Sequence, residues 1–172
     1  MQQIPDERPL IGAFLSTVVL VAVMLGSLPA YGEEADPYRR ILVAHRFVQV
    51  SYEGILEKSS KWEEPLRSAL LEEFSRDNLT IISVDVLNNY ISEEQAEALA
   101  QFLESALGQK FVAASYGEYD LRNLSADEER ELDEFPETEA GMAYMFFTYH
   151  GLDEYHDVIR ERAQAVVDRY RQ

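Results

Sequence analysis

Cysteine is absent from the 172 residues of this chain. Disulfide scaffolds, thiol nucleophiles and cysteine-based zinc sites are therefore excluded together. Histidine is scarce, with only three residues, and none can be tied to a serine nucleophile, because the chain has no Gly-x-Ser-x-Gly element. The eight glycines are scattered and form no glycine-rich run of the kind that cradles phosphate. Positive charge is also short: 15 Lys and Arg stand against 32 Asp and Glu, a formal net charge of −17. A surface of that sign repels a phosphate backbone, which argues against nucleic acid as a partner. It suits solubility, a cationic partner or divalent ions. Apolar residues make up 47% and charged residues 27%, a profile able to bury a core without metal or cross-link.

What the chain does contain is a pattern written twice. Ile91-Ser92-Glu93-Glu94-Gln95 aligns with Leu124-Ser125-Ala126-Asp127-Glu128, and the register holds without a gap from there on. Leu99 falls on Leu132, Phe102 on Phe135, Ser105 on Thr138, Gly108 on Gly141 and Phe111 on Tyr144, a period of 33 residues. That period fits one helical hairpin, duplicated. Ser92 with Gln95, and Ser125 with Glu128, have capping-box spacing, so each pair marks a helix start. Leu99, Phe102, Leu103 and Ala106 share one helical stripe. In the second copy Pro136 replaces Leu103, and its first helix is expected to end by about Phe135. Ser105 and Thr138 sit where new N-caps belong. Gly108 and Gly141, three residues on, are read as points of close helix approach, and on side-chain size Gly141→Leu is expected to cost more than Gly108→Ala.

The residues Ile91-Ser92-Glu93-Glu94-Gln95, Leu99, Phe102, Ser105 and Gly108-Gln109-Lys110-Phe111 resemble the signature of domain-of-unknown-function family twenty fifty-nine. The resemblance runs over residues 77 to 114, with weaker support from 36 to 74; where the family has a proline after the serine, this chain has Ala106 and Glu139. It implies a short, helical, exported protein of Gram-negative bacteria and brings no catalytic residues.

In chain order, residues 10 to 25 carry no charge and precede a small-residue stretch, which suits the apolar core of a secretory signal cleaved after Ala30 or Gly32. The preceding flank holds Asp6 and Glu7 with only Arg8, so an uncleaved N-terminal anchor is the alternative. Asp36-Pro37 opens a helix whose Tyr38, Ile41, Leu42, His45 and Val48 share a face, which makes His45 a packed, hydrogen-bonded core histidine. A short helix is expected over 52 to 60, and Glu63-Glu64-Pro65 opens another. Residues 77 to 90 fit both strand and helix periods; with no second strand to pair, they are read as helix. The run Tyr144, Phe146, Phe147 and Tyr149 is read as core rather than as a ligand pocket. Gly151 should interrupt the helix before a final amphipathic one built on Leu152, Tyr155, Ile159, Val166 and Tyr170.

The fold class expected is all-α: a compact bundle of about seven or eight short helices containing a duplicated hairpin. Residues 1–32 are the signal or anchor, and 33–172 a single helical domain with repeat copies at 91–112 and 124–145. His150, Asp153, Glu154 and His156 come nearest to a metal set, but histidines six apart face different sides of a helix, so metal, cofactor and catalytic residues are all set at none. Ten acids between Glu118 and Glu139, against Arg122 and Arg130, read as a solvated charge run. The expected function is a non-catalytic binding or interaction module of the cell envelope, placed in the periplasm or anchored in the inner membrane facing it. Its partner is an unidentified protein or envelope component, with no nucleic acid and with membrane contact only if the N-terminal segment is retained. The alternative is an enzyme acting on an envelope polymer through paired carboxylates. A catalytic cleft would hold acids of raised pKa, whereas a binding module would show an apolar patch rimmed by polar residues.

Overall fold

The computed structural model describes residues 36 to 171, so the signal or anchor segment lies outside the described residues. Within them every regular element is helical and there is no strand. The helices are α1 (Pro37–Ala44), α2 (Phe47–Ser59), α3 (Glu64–Glu73), α4 (Arg76–Tyr90), α5 (Glu93–Glu104), α6 (Ala106–Ser115), α7 (Ala126–Glu134), α8 (Glu139–Phe146) and α9 (Leu152–Tyr170). Short 3-10 turns lie at Leu121–Asn123 and Phe135–Glu137. A π turn at Phe147–Gly151 joins α8 to α9 without a break, so these nine helices make eight rods.

Local chemistry sets the helix starts. The Asp36 carboxylate accepts from the Tyr38 amide at 3.1 Å, with Pro37 at the first helical position. Ser75 caps α4, which begins at Arg76, just ahead of the stretch from 77 expected to be helical. Ser92 and Ser125 both stand at helix starts with complete capping boxes. Ser92 Oγ accepts from the Gln95 amide at 3.2 Å while the Gln95 side chain accepts from the Ser92 amide at 2.9 Å. Ser105 and Thr138 are one-residue bends: each ends one helical stretch in extended conformation, and its hydroxyl accepts from the amide of Gly108 or Gly141 at 3.0 Å. Pro136 lies in the 3-10 turn that closes α7, which ends at Glu134.

The two bends explain the two glycines. A Cβ built on Gly108 would stand 1.9 Å from the carbonyl oxygen of Phe102, and one on Gly141 1.8 Å from that of Phe135. In both copies the second helix starts directly against the last turn of the first, where only a hydrogen fits.

Packing brings the copies face to face. The Phe102 and Phe135 rings stack at 4.0 Å between centroids, and Phe111 meets Tyr144 edge-on at 5.2 Å. Each of these pairs joins a position to its own equivalent 33 residues on. Lys110 Nζ adds an ion pair to Glu128 at 2.6 Å, tying α6 to the start of α7.

Helix α5 lies at the centre, with Ala96, Leu99, Ala100 and Leu103 buried between α1 and α8. Its alanines, with Ala140 and Ala143 of α8, let the backbones approach. Arg40 clamps α1 to α5 through Glu97 at 2.8 Å and Glu104 at 2.7 Å. Helix α4 buries Leu79, Ile82, Val86 and Leu87, and α9 packs Tyr155, Ile159, Val166 and Val167 against α3 and α4.

Three expectations are corrected. The helix expected over 52 to 60 begins at Phe47, because α1 ends early and the chain turns at Arg46, whose φ of 57° is left-handed. Gly151 does not interrupt its helix: the ladder slips into a π turn, and the glycine leaves room for the Phe147 ring, which a Cβ would meet at 2.5 Å. The aromatic run is only half core. Phe147 is buried, but Phe146 is 50% and Tyr149 71% exposed.

Candidate functional site

Two places gather polar chemistry, and they differ in whether that chemistry is already satisfied. The first is the joint between α1 and α2. His45 lies against the rings of Tyr116 and Tyr144, at 5.8 Å and 6.1 Å. The Tyr116 hydroxyl donates to the His45 carbonyl at 2.9 Å and lies 3.2 Å from Nδ1, an arrangement that puts the imidazole proton on Nδ1. Burial lowers the His45 pKa and pushes that of Tyr116 up to about 12. The Arg46 guanidinium sits 4.8 Å over the Tyr116 ring and grips both Glu118 oxygens, at 2.7 and 3.1 Å. Arg46, Glu118, Tyr116 and His45 thus partner one another inside the fold, so the joint acts as a clasp that holds Arg46 in its left-handed conformation. The packed, hydrogen-bonded His45 read from the sequence fits this geometry; its partner Tyr116, 71 residues away, had no sequence signal.

The second place is the outer side of α8 and the start of α9. Met142, Met145, Phe146 and Tyr149 are exposed by 39%, 37%, 50% and 71%. Their spacing puts them on one side of the helix, opposite the buried Ala140, Ala143 and Phe147. Single exposed apolar residues are ordinary, but four in one helical row form a patch. At the C-terminal end of the row the His150 ring lies 6.2 Å from Phe146 and stacks on Tyr90 at 6.2 Å. Tyr90 and His150 are also walls of a cleft of about 490 Å3 whose other lining is Asp153, Glu154, Asp157, Val158 and Glu161. Glu154 is held by the Tyr90 hydroxyl at 2.6 Å and by Asn89 at 2.8 Å, and Asp157 pairs with Arg160 at 2.8 Å. Exposed Glu137 and Glu139 stand at the opposite end of the row.

His150, Asp153 and Glu154 thus come together on this cleft, whereas His156 does not line it and packs beside the Tyr155 ring at 6.0 Å. Among the described residues no group of three or more His, Asp or Glu is arranged to hold a metal ion. Among the described residues, the carboxylates whose pKa moves shift downward: Glu97 beside Arg40, Asp120 beside Arg122, and Glu128, which Lys110 and the Ser125 amide bring to about 2. That is the behaviour of paired surface acids. A general acid needs the opposite shift.

Geometry and sequence together describe an all-α fold carrying one uncovered apolar helix face beside an acidic cleft. Comparison with protein-family models, curated proteins and solved structures finds no match to the chain. No helix among the described residues is long and apolar enough to cross a membrane.

Proposed function

We propose that this protein is an exported helical module of the cell envelope that works by binding another component and performs no chemistry of its own. The observation that carries the reading is the row Met142, Met145, Phe146 and Tyr149, which leaves large side chains in solvent in a chain with ample polar residues to cover them. Methionine and aromatic side chains suit such a face, because the first adapt in shape and the second give much contact area for little lost freedom. Export is argued from the uncharged run at 10 to 25, and the motif resemblance of residues 77 to 114 to family twenty fifty-nine belongs to the same proposal. Periplasmic placement follows if the segment is cleaved and an inner-membrane anchor if it is kept; intact mass of the chain recovered from the envelope distinguishes them.

Site-specific photo-crosslinking tests the binding reading. A photoreactive residue at position 146 should give a discrete adduct in intact cells, while the same residue at exposed Ile81, on α4, should give none. No adduct at 146, or the same adducts at both positions, would sink the proposal.

A further inference from the structure

The chemistry of the partner can be read from what surrounds the row, and the inference rests on the binding reading above. We infer that the outer side of α8 and the start of α9 is the seat of a cationic amphipathic helix. Its apolar side would lie along Met142, Met145, Phe146 and Tyr149, and a Lys or Arg beyond it would enter the acidic cleft.

Continuity is the first argument. His150 touches the row at Phe146 and the cleft at Tyr90, so apolar face and cleft are one surface. Asp153, Asp157 and Glu161 follow Tyr149 at intervals of four, extending the row along α9. From Met142 to Glu161 the unbroken rod runs roughly 28 Å at 1.5 Å per residue, enough for about five turns of a partner helix.

Charge supplies the choice of occupant. Asp153 and Glu161 have no ion-pair partner within the described residues, and Glu137 and Glu139 border the opposite end. A second copy of this chain, with net charge −17, would set these acids against their own equivalents. An acidic segment meets the same repulsion, and an uncharged apolar one leaves the cleft unused. A basic amphipathic helix satisfies both halves of the surface, by the helix-in-groove mode in which anchors recur at three and four residues.

The test uses the full chain and a synthetic probe: a fluorescein-labelled, 18-residue amphipathic peptide of leucine and lysine, compared with one in which glutamate replaces each lysine. Anisotropy titration should show the lysine peptide binding at least about tenfold more tightly. F146S with Y149S should weaken it by about tenfold or more. D153N with D157N and E161Q should weaken it by roughly three- to tenfold, an effect that shrinks in added salt. D127N with E131Q and D133N, the same charge change on α7, should leave it unaltered. Equal affinity for both peptides, with both lost in F146S/Y149S, would overturn the cationic partner and keep the binding face. Affinity indifferent to F146S/Y149S would overturn both readings. An equal effect of the α7 changes would reduce the attraction to the general field of the protein and overturn the inference. So would a dimer in sedimentation that F146S/Y149S dissolves, since the face would then belong to a second copy.

Discussion

The two bends make their sharpest demand through a single hydrogen atom. In Gly141→Ala the new methyl would stand 1.8 Å from the Phe135 carbonyl oxygen, and in Gly108→Ala 1.9 Å from that of Phe102. Relief to a tolerable 3.0 Å requires the two helices of each hairpin to part by about 1.2 Å, and the obstacle is backbone that no rotamer change can move. Parting also strains the cap bond from Ser105 or Thr138, at 3.0 Å in each copy, and the Phe102–Phe135 stack between the copies. Overpacking of this kind costs about 1–3 kcal/mol, and immobile backbone puts both variants near the upper end. For a domain of this size that lowers the melting midpoint by roughly 8–12 °C. The first methyl already collides at either position, so alanine alone takes most of the penalty, and the further atoms of Gly141→Leu add to it. Gly54 is the internal control: it lies inside α2, and a methyl added there would meet nothing within 4 Å. Gly54→Ala should therefore stabilise by about 0.5–1 kcal/mol, raising the midpoint by a few degrees. Differential scanning calorimetry of the three variants reads all of this. A Gly141→Ala midpoint within about 2 °C of the parent, or three changes of the same sign, would refute the close-approach argument.

Further consequences follow from caps and titrating groups. Ser92→Ala should cost about 1 kcal/mol globally, because α5 buries Leu99 and Leu103, whereas Ser125→Ala should fray α7 locally, since that helix buries no residue. Amide exchange confined to residues 126 to 134 in the second variant, with the global midpoint held, is the expected signature. Burial lowers the pKa of both His45 and His156, so the unfolded chain takes up these protons first and stability falls as pH drops below the ordinary 6.5. The loss of melting midpoint from about pH 7.5 to about 5.5 should shrink in His45→Gln and again in the double variant with His156→Gln; an undiminished loss in the double variant would contradict this assignment. Glu128, held at about 2 chiefly by Lys110, is depressed from 4.5, so its contribution is present above 4.5 and disappears on acidification through about 2. In Lys110→Met an NMR titration of Glu128 should move toward the ordinary carboxylate range, and an unmoved value would remove Lys110 as the cause.

Sequence was most informative where the physics is local. Caps act within three or four residues, so Asp36, Ser92, Ser105, Ser125 and Thr138 could be read as helix starts, and Pro136 as an end, without knowing what lay opposite. The glycine spacing was legible for the same reason: each bend brings Gly108 or Gly141 against a carbonyl only six residues back. The start of α2 was missed, because nothing at Arg46 predicts a left-handed residue; the Glu118 and Tyr116 contacts that hold it come from 70 or more residues away.

The candidate site was hidden for a related reason. Apolar periodicity says which residues lie together on a helix but not whether that side meets a neighbour, and the run from Met142 to Tyr149 carries apolar residues on both sides. By itself the sequence determined an acidic, cysteine-free, helical chain with a duplicated hairpin punctuated by caps, proline and glycine. Only the tertiary structure decided that the copies meet through Phe102 on Phe135 and Phe111 on Tyr144, since α5 has one side to offer α8. That docking buries Ala140 and Ala143, Phe147 packs on Phe47 of α2, and Phe146 and Tyr149 are left outward beside the acidic cleft.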